Sequence, residues 1–180
     1  MPTVAVATAT ADWTSLAQRP VHLPTLAPGA KCPVTFWQPA AKLDATDFSS
    51  SSSYFAFGPG PVYPIIYQFD PTSRTVHPSR DAVSGWIFDK VLWLIAPSYR
   101  APALVRARRL NPPAPVSFFQ GRAGSPTQTA ELRIATASLP AAWQTSGSAV
   151  RFPSAVTPGC YAFQVDGVGI SSAIIFQVAE

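Results

Sequence analysis

The sequence predicts an immunoglobulin-like antiparallel β-sandwich of about eight or nine short strands, and three observations predict it. Twenty prolines scattered through 180 residues leave no window for a long helix. Short apolar runs with period-two alternation recur between Gly, Pro and Ser clusters at the spacing of a sandwich. The chain ends in a hairpin pattern, Cys160 to Val165 and Ala173 to Ala179, about a turn at Asp166-Gly167. With 47% hydrophobic and 12% aromatic residues there is material for one core, expected over residues 19–180 after a tail at 1–18.

The tail is Thr- and Ala-rich, with Trp13 and Leu16 as its docking points. It lacks the basic start and compact apolar core of a signal peptide, so an export signal is expected upstream of Met1. Strands are expected at Arg19 to Leu23, Val34 to Trp37 and Tyr54 to Phe57, with a Ser-rich solvated loop before Tyr54. Val62 to Phe69 reads as a strand that Pro64 pushes to a sheet edge or bulge. Residues 70–84 read as a loop.

Trp86 to Ile95 carries the strongest signal, because Val91-Leu-Trp-Leu-Ile95 is apolar on both faces and belongs at the centre of a covered sheet. Ala103 to Leu110 sets Val105 and Ala107 against Arg106 and Arg108, the pattern of a strand with one wet side. Val116 to Phe119, Glu131 to Thr136 and Val150 to Phe152 are shorter candidates, and Leu139 to Trp143 suits one helical turn. In the hairpin, Ile174, Phe176 and Val178 share a face.

Charged residues make up 12%, about half the roughly 25% usual for soluble domains, a surface commoner outside the cell. Cys32 and Cys160 lack zinc-ligand spacing, leaving a disulfide or two small core thiols. The turn signal beside each cysteine and the extracellular cast of the composition favour the disulfide, worth roughly 5 kcal/mol at most. No apolar run is long enough to span a membrane. The net charge of +4 is not gathered into a dense patch interleaved with aromatics, so nucleic acid is not an expected partner.

His22 and His77 sit in Pro-rich stretches outside any HExxH pattern, no Gly-x-Ser-x-Gly elbow occurs, and nothing in the spacing pairs the scattered carboxylates. The chain therefore reads as non-catalytic, without cofactor or metal. Trp93 is expected in the core near the disulfide. In Pro158-Gly-Cys-Tyr161 the Gly-x-Tyr spacing suits the corner entering a penultimate strand, with the Tyr161 phenol packed inward.

Gly60-Pro-Val-Tyr-Pro64, Lys90-Val-Leu-Trp-Leu94, Pro97-Ser-Tyr-Arg-Ala-Pro-Ala-Leu-Val-Arg106, Arg108-Arg-Leu110, Pro158-Gly-Cys-Tyr-Ala-Phe-Gln-Val-Asp-Gly167 and Ile174-Ile-Phe176 together resemble an uncharacterised family of exported bacterial proteins with a sandwich-like domain. The resemblance spans roughly residues 20–179 and implies an exported sandwich. It brings no substrate or catalytic residue. Members are often lipid-anchored, and this chain shows no lipobox cysteine.

The binding candidates are an arginine strip and exposed aromatics. Arg100, Arg106 and Arg108, with Arg109, would line one face; Tyr54, Phe55 and Phe57 would form an apolar cluster; Trp86 and Tyr99 would stand exposed at the ends of the central strand. The sequence thus favours a secreted or cell-surface binding or adhesion module, its partner a glycan or envelope protein. A self-assembling structural subunit is the alternative, and a hydrolase a minor one.

Overall fold

The computed structural model describes residues 12–43, 53–119, 127–136, 143–153 and 158–179. Two antiparallel-dominated sheets pack face to face, the all-β sandwich that the alternation predicts. The first sheet runs β1 (Trp37–Pro39), β2 (Phe55–Phe57), β3 (Val62–Ile66), β7 (Ile87–Ile95), β13 (Gln144–Phe152), β10 (Ser117–Phe119) and β11 (Gln128–Thr129), with β6 (Ser79–Arg80) beside β7. The second runs β12 (Glu131–Ile134), β8 (Ala103–Asn111), β14 (Gly159–Gly167), β15 (Ile170–Val178), β5 (Thr75–Val76) and β4 (Phe69–Asp70), with β9 (Pro113–Pro115) beside β8. Five nine-residue strands carry both sheets, and two- and three-residue pieces bring the number of described strands above eight or nine.

The core between the sheets follows the strand period. Odd-numbered residues of β7 and β14 point inward, so that Trp93 meets Phe163 edge-on at 5.3 Å and donates its Nε1–H to Ser148 Oγ at 2.9 Å. Tyr161 is buried and stacked on Phe176 at 6.0 Å, inward as expected. Ile174, Phe176 and Val178 line the same interior.

Cys32 and Cys160 form the disulfide. It lies away from Trp93, because Cys160 is an even-numbered residue of β14 and faces outward with Leu110 and Ala162. The bond pins residues 19–35 across the outside of the second sheet.

Several expected elements shift for identifiable reasons. Arg19 to Leu23 forms no strand but an extended strap, bonded to the sheet through side chains. Pro64 lies within β3, flanked by β2 and β7, and not at a sheet edge. Tyr67 donates its N–H to Lys90 O, so by alternation Tyr63 and Ile65 face β7 and the missing N–H of Pro64 faces β2, where a single residue pair joins the strands. The hairpin turns at Val168-Gly169, two residues beyond Asp166-Gly167: Gly169 takes φ +73°, while Gly167 stays paired with Ile170. Residues 70–84 contain β5 and β6. Trp13–Ala17 form a short helix, capped by Asp12 and seated by buried Leu16, with the Arg133 guanidinium 5.6 Å from the Trp13 ring. The helical turn expected at Leu139 to Trp143 falls largely outside the described residues.

Candidate functional site

The outer face of the first sheet is built by the residues that alternate with its core set. On β7 these are Phe88, Lys90, Leu92 and Leu94. The register sets Tyr63 and Ile65 of β3 on one flank and Thr145, Gly147, Ala149 and Arg151 of β13 on the other. A 3-10 helix, Ala40–Leu43, covers Ala56 and Ile65 and forms a raised margin. Beside it the surface is open at Gly147: a Cβ added there, opposite Leu92, would meet nothing within 4 Å.

Aromatic rings stand around this floor in three groups. Tyr63 and Trp143 lie 6.2 Å apart, both half-buried. Tyr54 and Tyr67 lie 5.1 Å apart, with Tyr67 exposed. Phe119 contacts Phe88 at 6.1 Å and Trp86 at 6.0 Å, and the Arg151 guanidinium sits 4.0 Å over the Trp86 ring while its Nη1 donates to Gln128 Oε1 at 3.0 Å. Burial raises the Tyr63 phenol above its ordinary pKa; burial and then the Tyr54 phenol do the same for Tyr67. Tyr63 and Tyr67 are therefore neutral at physiological pH and offer a hydroxyl beside an apolar ring.

Two local devices hold these rings. Gly60 adopts φ +76°, and a Cβ there would lie 2.1 Å from Tyr63 Cζ, so the Gly58-Pro-Gly-Pro61 loop is the seat of the Tyr63 ring. Tyr67 and Gln68 form the corner between β3 in one sheet and β4 in the other. The Gln68 N–H donates to Asp89 Oδ2 at 3.3 Å from beneath. Asp89 points into the apolar interior, its Oδ1 without a hydrogen-bond partner, and burial pushes its carboxyl up to about 7 against the pull of the Gln68 and Lys90 N–H groups.

The expected arginine strip is not assembled as one. Arg106 is largely covered, with its side chain 13% exposed: Nη2 donates to Asp166 Oδ2 at 2.5 Å and Nη1 to Arg19 O at 2.7 Å. The strap has closed over that outer face. Gln164 donates to Pro20 O and accepts from the His22 N–H, Arg19 donates to Gly167 O and Ile170 O, and Asn111 donates to Ala27 O. Alternation sets Arg109 on the inward side with Val105 and Ala107, opposite Tyr161, where it is buried with Nη2 donating to Pro158 O; the register shift between Cys160 and Tyr161 lies just beyond this pair. Arg108 and Arg100 are exposed.

Of the aromatic candidates, Tyr54 and Trp86 belong to the outer face, half-buried. Phe57 does not: it is 0% exposed and packs edge-on against Phe69 at 4.7 Å. Phe55, half-buried, points to the same ring at 5.8 Å. Tyr99 is buried too, its Oη donating to Pro102 O at 2.9 Å and filling the space where a Gly167 Cβ would lie, 1.9 Å away. Lys90, Arg151 and Gly147 were not singled out by sequence, and Tyr63, Tyr67 and Trp143 counted there only among the aromatics that could supply a carbohydrate platform or protein-contact patch. Tyr63, Ile65 and Tyr67 alternate through the expected strand Val62 to Phe69, a signal that they share a face.

His22 and His77 are exposed, and no group of three His, Cys, Asp or Glu among the described residues could hold a metal ion. No described helix is long and apolar enough to cross a membrane. Comparison of the chain with protein-family models, curated proteins and solved structures finds no match.

Proposed function

We propose that the chain is a non-catalytic extracellular binding module, and that its contact surface is the outer face of the first sheet, built for a glycan. The observation that carries this reading is the open floor at Leu92 and Gly147 with half-exposed Tyr63, Trp143, Tyr54 and Tyr67 around it. The C–H face of a sugar ring is weakly positive and apolar, and it stacks on the negative face of an aromatic ring while hydroxyls of both partners bond at the edges. A peptide strand would instead need free backbone N–H and C=O groups, which a sheet face does not present. The disulfide supports an oxidising compartment, and so a secreted or cell-surface location.

A glycan array probed with purified protein tests the proposal. The expected result is binding to a defined set of glycans that Tyr63→Ala and Trp143→Ala each weaken and Arg108→Ala leaves unchanged. No glycan bound, or binding that depends on Arg108 and not on Tyr63, would overturn it. Light scattering adds an arm: a monomer across concentrations fits a binding module, whereas concentration-dependent assembly favours a structural subunit.

A further inference from the structure

Among the described residues, the outward strand positions of the first sheet carry two cations, Lys90 and Arg151, and no acid. Lys90 is exposed and lies four residues along β7 from Leu94, the partner of Tyr63, about 13 Å at the rise of a strand. Arg151 stands on the neighbouring strand opposite Phe88, oriented by the Trp86 ring below it and by Gln128 beside it. Tyr63 and Trp143, the bare floor at Gly147, Lys90 and Arg151 therefore follow one another down the same face. The first half of that track suits sugar rings and the second half suits negative charge. Asp89, the acid adjacent to Lys90, points into the core and cannot neutralise the track from outside.

We infer that the glycan taken by this face is an acidic polysaccharide, its rings on Tyr63 and Trp143 and its anionic groups on Lys90 and Arg151. This rests on the binding reading above and adds the chemical class of the ligand. The anionic group is a carboxylate or a sulfate. A guanidinium held flat by an aromatic ring and a neighbouring amide presents its remaining N–H donors in a fixed fork, which either oxyanion accepts.

The test is binding of purified protein to polygalacturonate, to its methyl-esterified form, to a sulfated glycan, to a neutral glucan and to polyglutamate, at low and moderate salt. Binding is expected to at least one acidic polysaccharide, with affinity falling as salt rises, and weakly or not at all to the methyl ester. Preference between polygalacturonate and the sulfated glycan identifies the anionic group. Lys90→Gln should weaken binding about threefold to fivefold and flatten the salt dependence, while Lys90→Arg restores both. Because Arg151 also holds Trp86, Lys90 is the cleaner position. Tyr63→Ala should weaken binding at every salt concentration. Equal binding of the methyl ester, with Lys90→Gln unchanged, would sink the acidic class and leave the glycan reading standing. Polyglutamate bound as tightly as the acidic glycans, with Tyr63→Ala unaffected, would reduce the effect to simple polyelectrolyte attraction and overturn the inference. If no polysaccharide binds, the broader reading fails with it.

Discussion

On the outside of the second sheet, Arg106, Cys160, Gln164 and Asp166 are each tied into the segment that crosses them or into a network beneath it. On the outside of the first, Tyr63, Leu92 and Lys90 meet no such strap among the described residues, and the apolar cluster that the 3-10 helix joins buries Ala56, Ile65 and Leu94. Both faces come from the same two-residue alternation. One is closed by polar bonds, apolar contacts from Leu23 and Leu26, and a covalent staple; the other is left as rings around a floor that is open at Gly147. A face closed in this way contributes stability, and the open one keeps its apolar area for a partner.

Unequal consequences of substitution should sharpen this contrast. The largest is expected on the closed face: the double variant Cys32→Ala/Cys160→Ala should lose about 2–5 kcal/mol of stability in chemical denaturation. Tyr63→Ala on the open face should lose about 1 kcal/mol. Equal losses would erase the distinction between the faces.

Asp89→Asn is next. The folded carboxyl keeps its proton up to about pH 7, whereas an unfolded aspartate ionises near 3.8. Between those values the folded state binds more protons, so stability must fall as pH rises from about 4 to about 7. Asn cannot ionise, so denaturation midpoints of Asp89→Asn should be nearly flat through that window. The variant should exceed the natural chain by on the order of 2–4 kcal/mol at pH 8. Parallel pH profiles for the two proteins would show that Asp89 is hydrated and the corner at Tyr67 looser than its geometry indicates.

Gly60→Ala tests the seat of Tyr63 without touching the ring. The positive φ and the displaced phenol should cost about 1–2 kcal/mol, and glycan binding should fall as it does in Tyr63→Ala. Arg108→Ala, exposed on the closed side, should stay within about 0.5 kcal/mol and leave binding intact.

The central strand β7 was legible because Val91 to Ile95 is apolar on both faces, whichever neighbours it acquires. The first half of β13 was not. Gln144-Thr-Ser-Gly-Ser148 looks like a loop, and it becomes a strand because β7 offers a full ladder and Trp93 a donor for Ser148. Gly167 resembled a turn glycine, but its role is to leave room for Tyr99, a contact fixed only by tertiary packing. Arg106 and Arg108 alternated as read, yet the strap covered Arg106, and Arg109 fell on the inward face with Val105 and Ala107. Sequence patterning places a side chain on a face without revealing what lies over it. On the open face the Tyr63 and Tyr67 alternation could be read directly, whereas Trp143, Arg151 and Gly147 join them only through the pairing of β13 with β7.

The staple between Cys32 and Cys160 also makes most of the chain a closed covalent ring, with 128 positions separating its ends. A protease that severs one peptide bond anywhere within that ring opens the loop but releases no fragment. On a denaturing gel such a nicked molecule would keep its full mass until a reductant is added, and then resolve into two pieces whose sizes report the position of the cut.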